Sequence, residues 1–324
     1  MTRLFRDVDG GHVSRRGTVV CIGAFDGLHL GHQSLIERTR ARALELDVDA
    51  AVLAFEPIPR EFFLGAAAPA RVASWRDRFE RLRAAGIPHV GMLRFNAALA
   101  SMQAEDFIER VLVQRLSARE VWTGADFRFG RGRRGDLAML QAAGTAHGFR
   151  AHSVDTHQHA GERVSSSAIR AALAAGDLQT AEQMLGRPYS IGNRVVRGKQ
   201  LGRTLGYPTA NLRLAGKRPA LGGIFATWVH GVGPHPWPSV SSLGTRPTVN
   251  GVEPLLEAHL FDFDADLYGQ RIEVEFVAKL RDEEKFADLP ALVVQMNRDA
   301  AEARAILRSP AILVAATPQI LTTA

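Results

Sequence analysis

The sequence predicts two domains in tandem: a doubly wound parallel α/β domain over residues 1–186, then a six-stranded antiparallel β-barrel over residues 187–310 that closes with a helix. Three observations predict this. Up to residue 186, short β-branched apolar runs alternate with amphipathic segments of about 10–15 residues, the pattern of parallel strands joined by crossover helices. Past Gly186-Arg187-Pro188-Tyr189 the apolar runs shorten, glycine and proline turns become frequent, and helical periodicity returns only over 289–307. The length of 324 residues, with 46% apolar and 23% charged content, is enough to bury two cores.

Taken in order, Thr18-Val19-Val20-Cys21-Ile22 has the length and branching of a fully buried strand, and a helical period opens at Gln33 and runs to about Leu46. Strands follow at 50–55, 89–95, 120–124 and 149–155, and helices at 73–85, 104–116 and 136–147. A hydroxyl-capped helix ends near Ala175, and another covers 177–185. In the second domain the strands are expected at 190–197, 210–214, 223–230, 239–243, 256–263 and 271–280, with no helix before 289–307. Residues 311–324 read as a tail that is poorly ordered.

Composition excludes several classes. One cysteine, Cys21, rules out a disulfide framework and a cysteine-built zinc site, and fits the reducing cytoplasm. The N-terminus has no charged-then-apolar leader, and no run approaches the ~20 apolar residues of a membrane span. The net charge of +6 is spread evenly, with 24 arginines against 21 acids up to Gly186 and 16 basic against 13 acidic residues after it. That spread fits small anionic substrates better than nucleic acid. No nucleic-acid, membrane or obligate protein partner is expected. All four lysines (Lys199, Lys217, Lys279 and Lys285) lie in the second half, so the first domain has no G-K-[ST] phosphate loop. Its phosphates must be held by histidine, arginine and backbone.

Ligands of a doubly wound sheet sit beyond the carboxyl ends of its strands, and three stretches fall there. The first is G-x-F-D-G-x-H-x-G-H over 23–32. Gly23, Gly27 and Gly31 permit positive φ or close approach, and His29 and His32 can aim two imidazoles at one phosphate beside a helix N-terminus. The second is Phe55-Glu56-Pro57. The third, Asp126-Phe127-Arg128-Phe129 with Arg131, Arg133 and Arg134 beyond it, suits stacking of an aromatic ring and neutralisation of phosphate. Ser165-Ser166-Ser167 then caps a helix with Arg170 one turn in. In the second domain, Gly198, Gly202 and Gly206 recur every four residues as a flap, and Thr209 and Asn211 point to one side of an extended segment, as Mg²⁺ ligation would need. Glu257 is an acid inside an apolar strand, expected on the barrel's inner face and there for a task.

These motifs carry a resemblance. The turn at 23–32 resembles the H-x-G-H signature of Rossmann-like nucleotidyltransferases, and in this form is similar to the N-terminal module of the prokaryotic bifunctional riboflavin kinase/FMN adenylyltransferases, or FAD synthetases. Ser165 to Arg170 resembles that family's S-S-T-x-I-R element, with Ser167 for threonine. Pro208-Thr209-Ala210-Asn211 and Gly244-Thr245-Arg246-Pro247-Thr248 resemble its riboflavin kinase module, although Ser242 stands where asparagine is commoner and Ile58 where histidine often stands. The resemblance implies that riboflavin is phosphorylated by ATP in the second half, with Glu257 as base, Mg²⁺ on Thr209 and Asn211, and nucleotide phosphates near Gly198, Gly202, Arg203, Gly206 and Asn211. It implies that FMN is adenylylated by ATP in the first half. There His29, His32 and Arg170 would be catalytic, Gly23, Phe25, Asp26, Gly27, Gly31, Ser165 and Ser166 would hold the nucleotide, and Phe55, Pro57, Asp126, Phe127, Arg128 and Phe129 the flavin. Two other readings stand beside it: a single-activity nucleotidyltransferase for another small phosphate, and a non-catalytic flavin- or RNA-binding regulator.

Overall fold

The computed structural model describes residues 2–155, 157–159, 161–198, 201–214, 218–248 and 251–308. The chain divides into two compact units: one runs to Ser166 apart from Ala70–Ser74, and the other takes Ala70–Ser74 with everything from Ser167 on. The tail at 311–324 lies outside the described residues.

The first unit carries six parallel strands, β1 (Arg3–Phe5), β2 (Thr18–Ile22), β3 (Asp49–Glu56), β4 (His89–Arg94), β5 (Ala118–Gly124) and β6 (Arg150–Val154), in the order β1-β4-β3-β2-β5-β6. Central β2 shows why this is a doubly wound sheet. Val19 and Cys21 pack with Leu35 and Ile36 of α1 (Leu30–Glu45) on one face, and Val20 and Ile22 pack on the other with Leu112 and Leu140. Both faces being covered, the strand is apolar throughout rather than alternating. The order reverses between β2 and β5, so the loops leaving those strands flank a topological switch point.

The short helices α2 (Pro59–Leu64) and α4 (Ala97–Ser101) and the edge strand β1 were not expected from periodicity, which needs more residues than these elements have. α3 (Trp75–Ala84) and α6 (Leu137–His147) lie where the pattern placed them. The helix expected over 104–116 is a short α5 (Ala104–Phe107) that widens into π geometry over Ile108–Arg115 while still burying Ile108, Val111 and Leu112. α1 begins three residues earlier than expected, at Leu30, for a reason found in the site below. A small hairpin, β7 (Gln158–His159) with β8 (Glu162–Arg163), precedes α7 (Ser166–Ala175).

In the second unit α7 leads to α8 (Leu178–Leu185), then β9 (Ser190–Val196), a helical turn α9 (Leu201–Thr204), β10 (Ala210–Arg213), β11 (Gly223–His230), β12 (Trp237–Thr248), β13 (Gly251–Leu260), β14 (Arg271–Arg281) and α10 (Leu289–Leu307). The six strands close in the order β10-β13-β12-β11-β14-β9, antiparallel throughout. α9 corrects the expectation of no helix before 289. The division at Ser166 also precedes the expected boundary at 186. α7 and α8 group with the barrel because Gly176 lies against the Lys279 stem, where a Cβ would come within 2.6 Å, and Glu182 faces Glu275. α10 seals the outside of the barrel with Ala300, Ala303 and Leu307 against Ala226, Trp228 and Phe261. Among the described residues no helix is long and apolar enough to cross a membrane.

Register corrects the placement of Glu257. Phe225, Ser241 and Ala258 pair across β11, β12 and β13 and are buried at 0–1% exposure, which makes theirs the inner face. Leu256 and Ala258 share that face, so Glu257 between them alternates to the outside.

Candidate active sites

The turn after β2 is held in an uncommon backbone conformation. Phe25 (φ +50°), Gly27 (φ +88°) and Leu28 (φ +44°) all take left-handed geometry, a cost that side-chain residues bear only where the surroundings enforce it. The Phe25 ring supplies part of that support. It is fully buried, lies 3.2 Å from where a Gly23 Cβ would stand, and has its centroid 5.1 Å from that of His32. The expectation that Phe25 meets nucleotide is corrected for its side chain, which props the turn from inside the core.

His29 explains the early start of α1. It sits at the N-cap with extended backbone, and its Nδ1 accepts from the His32 backbone N–H at 3.4 Å. An accepting Nδ1 puts the proton of a neutral ring on Nε2. Gly31 is bare because the His29 ring lies 3.3 Å from where its Cβ would be. The His29 and His32 rings stack at 3.6 Å between centroids. His32 Nδ1 is buried and has no hydrogen-bond partner among the described residues. Burial, followed by the proximity of His29 and of Arg78, holds its pKa well below the ordinary histidine value. Two stacked imidazoles thus crown the N-terminus of a 16-residue helix, where backbone N–H groups and dipole favour an anion. Ser166 Oγ donates to the Asp26 carbonyl at 2.9 Å, which brings the start of the serine run to this turn, with Ser165 half-buried beside it. Arg170 lies one turn further along α7 and donates to Ser167 Oγ at 3.0 Å.

The aromatic residues expected around the flavin divide. Phe55 and Phe129 are core side chains at 8% and 7% exposure, Phe55 edge-on to Phe95 and Phe129 against Phe107. Both are therefore corrected to supports. Phe127 is half-buried and stacks on Phe129, and Arg128 and Asp126 are exposed. Arg163 pairs with Asp126 at 3.0 Å and keeps its carboxyl below the usual range. Pro57 follows β3 through a cis peptide. Sequence reasoning missed Phe62 and Phe63 on α2, exposed and edge-on to Phe95 at 5.4 and 5.7 Å, for which proline followed by two phenylalanines was the available signal. It also missed Arg78, whose signal was no more than one arginine among several in α3.

In the second unit Gly198 passes so close to Asn211 that a Cβ would lie 2.7 Å from its Oδ1. Asn211 Nδ2 donates to the Thr209 carbonyl at 3.0 Å and to Thr209 Oγ1 at 3.3 Å. Its Oδ1 is buried with no partner among the described residues. An orphaned amide oxygen next to a hydroxyl is a donor set that fits a hard cation. Asn211 pairs across the ladder with Glu257, and Glu257 with Ser242, so the three line one strip of the outer face. Glu283, just past β14, was not foreseen. Its carboxylate occupies the space a Gly244 side chain would need, and burial and the proximity of Glu257 push its pKa up.

The flap is tied down at its far end. Gly202 closes on the Tyr207 carbonyl, whose N–H in turn donates to the Gly202 carbonyl at 2.7 Å; Gly206 takes φ +83° and Arg203 is exposed. His259 Nδ1 donates to the Pro208 carbonyl at 2.8 Å, and burial keeps that ring neutral by lowering its pKa. A cavity of about 610 Å³ opens alongside, bordered by Tyr207, Pro208, His259, Phe261, Asn297 and Arg304. Lys199 and Gln200 lie outside the described residues.

Two family descriptions divide the chain in the same order as these sites. Residues 12–168 match FAD synthetase and residues 185–307 match riboflavin kinase. The chain belongs to the bifunctional riboflavin kinase/FMN adenylyltransferase family. It is 42% identical to such a protein from Haemophilus influenzae over 95% of this chain and 100% of the relative, and 44% identical to one from Pseudomonas fluorescens over 94% and 97%. A crystal structure described as a macrolide-efflux protein from Streptococcus pneumoniae is similar over 94% of this chain and 98% of its own, with 27% identity and a TM-score of 0.75. The two matched regions leave 169–184 between them, which is most of α7 and α8.

Proposed function

We infer that the second unit phosphorylates riboflavin with ATP and that the first adenylylates the resulting FMN with a second ATP, giving FAD and pyrophosphate in the cytoplasm. The observation that carries this reading is the contrast in basic groups. A carboxylate, Glu257, stands across from Asn211 in one site, whereas two stacked imidazoles and backbone N–H groups make up the other.

The contrast matches two different nucleophiles. The 5′-hydroxyl of riboflavin is protonated at neutral pH, so Glu257 takes its proton as the oxygen attacks the γ-phosphorus and ADP leaves. Thr209 Oγ1 and Asn211 Oδ1 are the groups that would hold Mg²⁺, which when bound supplies charge neutralisation on the phosphates. The FMN phosphate is already an anion and needs no base. At that site the Nε2–H of His29, His32 and the N-terminus of α1 neutralise charge as the phosphate oxygen attacks the α-phosphorus and pyrophosphate departs. Phe127 and Arg128 remain accessible for the flavin ring and its phosphate.

The test is to incubate the purified protein with riboflavin, ATP and Mg²⁺ and follow products chromatographically. FMN should appear first and FAD after it. Formation of neither, or of FMN alone, contradicts the reading.

A further inference from the structure

Arg78 is an arginine of α3 with 0% exposure, the largest fully buried side chain among the described residues. Removing a guanidinium from water is costly, and a fold retains one inside only where most of its donors are met. Here the two Nη groups are met by the two segments that border the adenylyl-transfer site, while Nε has no hydrogen-bond partner among the described residues. Nη1 donates to the Ala24 carbonyl at 2.8 Å and to the Phe55 carbonyl at 3.3 Å; Nη2 reaches the Phe55 carbonyl at 3.4 Å and pairs with the Glu56 carboxylate. Ala24 lies between Gly23 and the left-handed Phe25, and Phe55 and Glu56 end β3 just before Pro57.

We propose that Arg78 is a positioning residue for adenylyl transfer: its rigid fork clamps the phosphate-binding turn after β2 to the flavin-side end of β3. This rests on the reading of the first unit as the FMN adenylyltransferase. Lysine cannot substitute, because one ammonium has no planar fork to span two carbonyls and a carboxylate. The same cation adds a second effect. His32 is faced by the His29 ring from its own helix, by the Phe25 ring from the turn and by Arg78 from α3, so a positive charge under it disfavours a second one on the imidazole. The clamp therefore sets where the turn lies and adds to burial and the His29 ring in disfavouring a charge on His32.

The experiment compares Arg78→Lys and Arg78→Met in the full-length chain, measuring kcat and KM for FMN adenylylation as a function of pH, with riboflavin phosphorylation in the same preparation as a reference. Arg78→Met should lower adenylylation kcat by about 100-fold, the cost of a small misplacement, and move the acid limb of its pH profile upward. Phosphorylation should be unchanged. Arg78→Lys should keep the acid limb at its wild-type position without restoring kcat. Wild-type adenylylation kcat and an unmoved acid limb in Arg78→Met would overturn the proposal, as would full rescue by lysine. Should Arg78→Met not fold, Glu56→Ala takes its place: a fall in adenylylation kcat with phosphorylation intact supports the clamp, and an unchanged kcat overturns it. Absence of FMN adenylylation in the wild-type protein would instead mean that the functional reading itself has failed.

Discussion

Asn211 and Glu257 face each other directly across the β10–β13 ladder, on the outer side of the barrel. The pairing fixes the separation of the two backbones that carry a candidate metal-holding amide and a candidate base, so both side chains start from neighbouring points on one strip. Replacing Glu257 with glutamine keeps the shape and removes the proton acceptor. Riboflavin phosphorylation should fall by roughly 10²–10⁴-fold with FMN adenylylation near normal, as separate assays on riboflavin and on FMN would read.

Gly198 tests the same strip from the other side. Its missing side chain leaves room for the Asn211 amide, and a methyl group there would stand 2.7 Å from Oδ1. Gly198→Ala should push Asn211 aside and lower phosphorylation by about 10- to 100-fold, while adenylylation stays as it was. Equal rates for variant and wild type would show that the amide position is immaterial.

His32 gives a stability signal with a definite sign. Its folded-state pKa lies below the ordinary value of about 6.5, chiefly through burial. Below that ordinary value the unfolded chain takes a proton that the folded chain refuses, so stability falls as pH drops toward the folded pKa; above it neither state binds the proton and the contribution is flat. Thermal melts of wild type and His32→Gln should therefore differ in slope between about pH 6.5 and pH 5 and run parallel at higher pH. Parallel curves through the acid range would show that the ring titrates normally.

Phe127 is the aromatic side chain of the loop after β5 left half-buried, stacked on the core residue Phe129. Loss of a ring-stacking contact is worth about 0.5–1.5 kcal/mol. Phe127→Ala should accordingly raise the KM for FMN in adenylylation by roughly 2- to 12-fold and leave the riboflavin KM of the kinase unchanged.

Both architectures were legible because the patterns that report them are long. β2 is apolar in every position because both its faces are covered, and Leu289–Leu307 is a 19-residue helix with a clear cap. The site glycines were legible too: Gly23, Gly31 and Gly198 each stand where a neighbouring side chain needs the space. What remained hidden was direction. An apolar strand containing Glu257 does not say which face is inside, since α10 makes part of the barrel's exterior as apolar as its interior. Phe25, Phe55 and Phe129 were indistinguishable from ligand-facing aromatics because motif position fixes the backbone and not whether the ring turns toward solvent or core. Arg78 and Glu283 left no mark, each serving through partners distant in sequence.

The central claim is that two independent sites act in succession, and a mixing experiment tests it most directly. Glu257→Gln and His32→Ala are each given riboflavin, ATP and Mg²⁺, separately and then in one tube. The account predicts no FAD from either alone, accumulation of FMN with His32→Ala, and FAD from the mixture. A mixture that makes no FAD, although each variant remains folded, would contradict it.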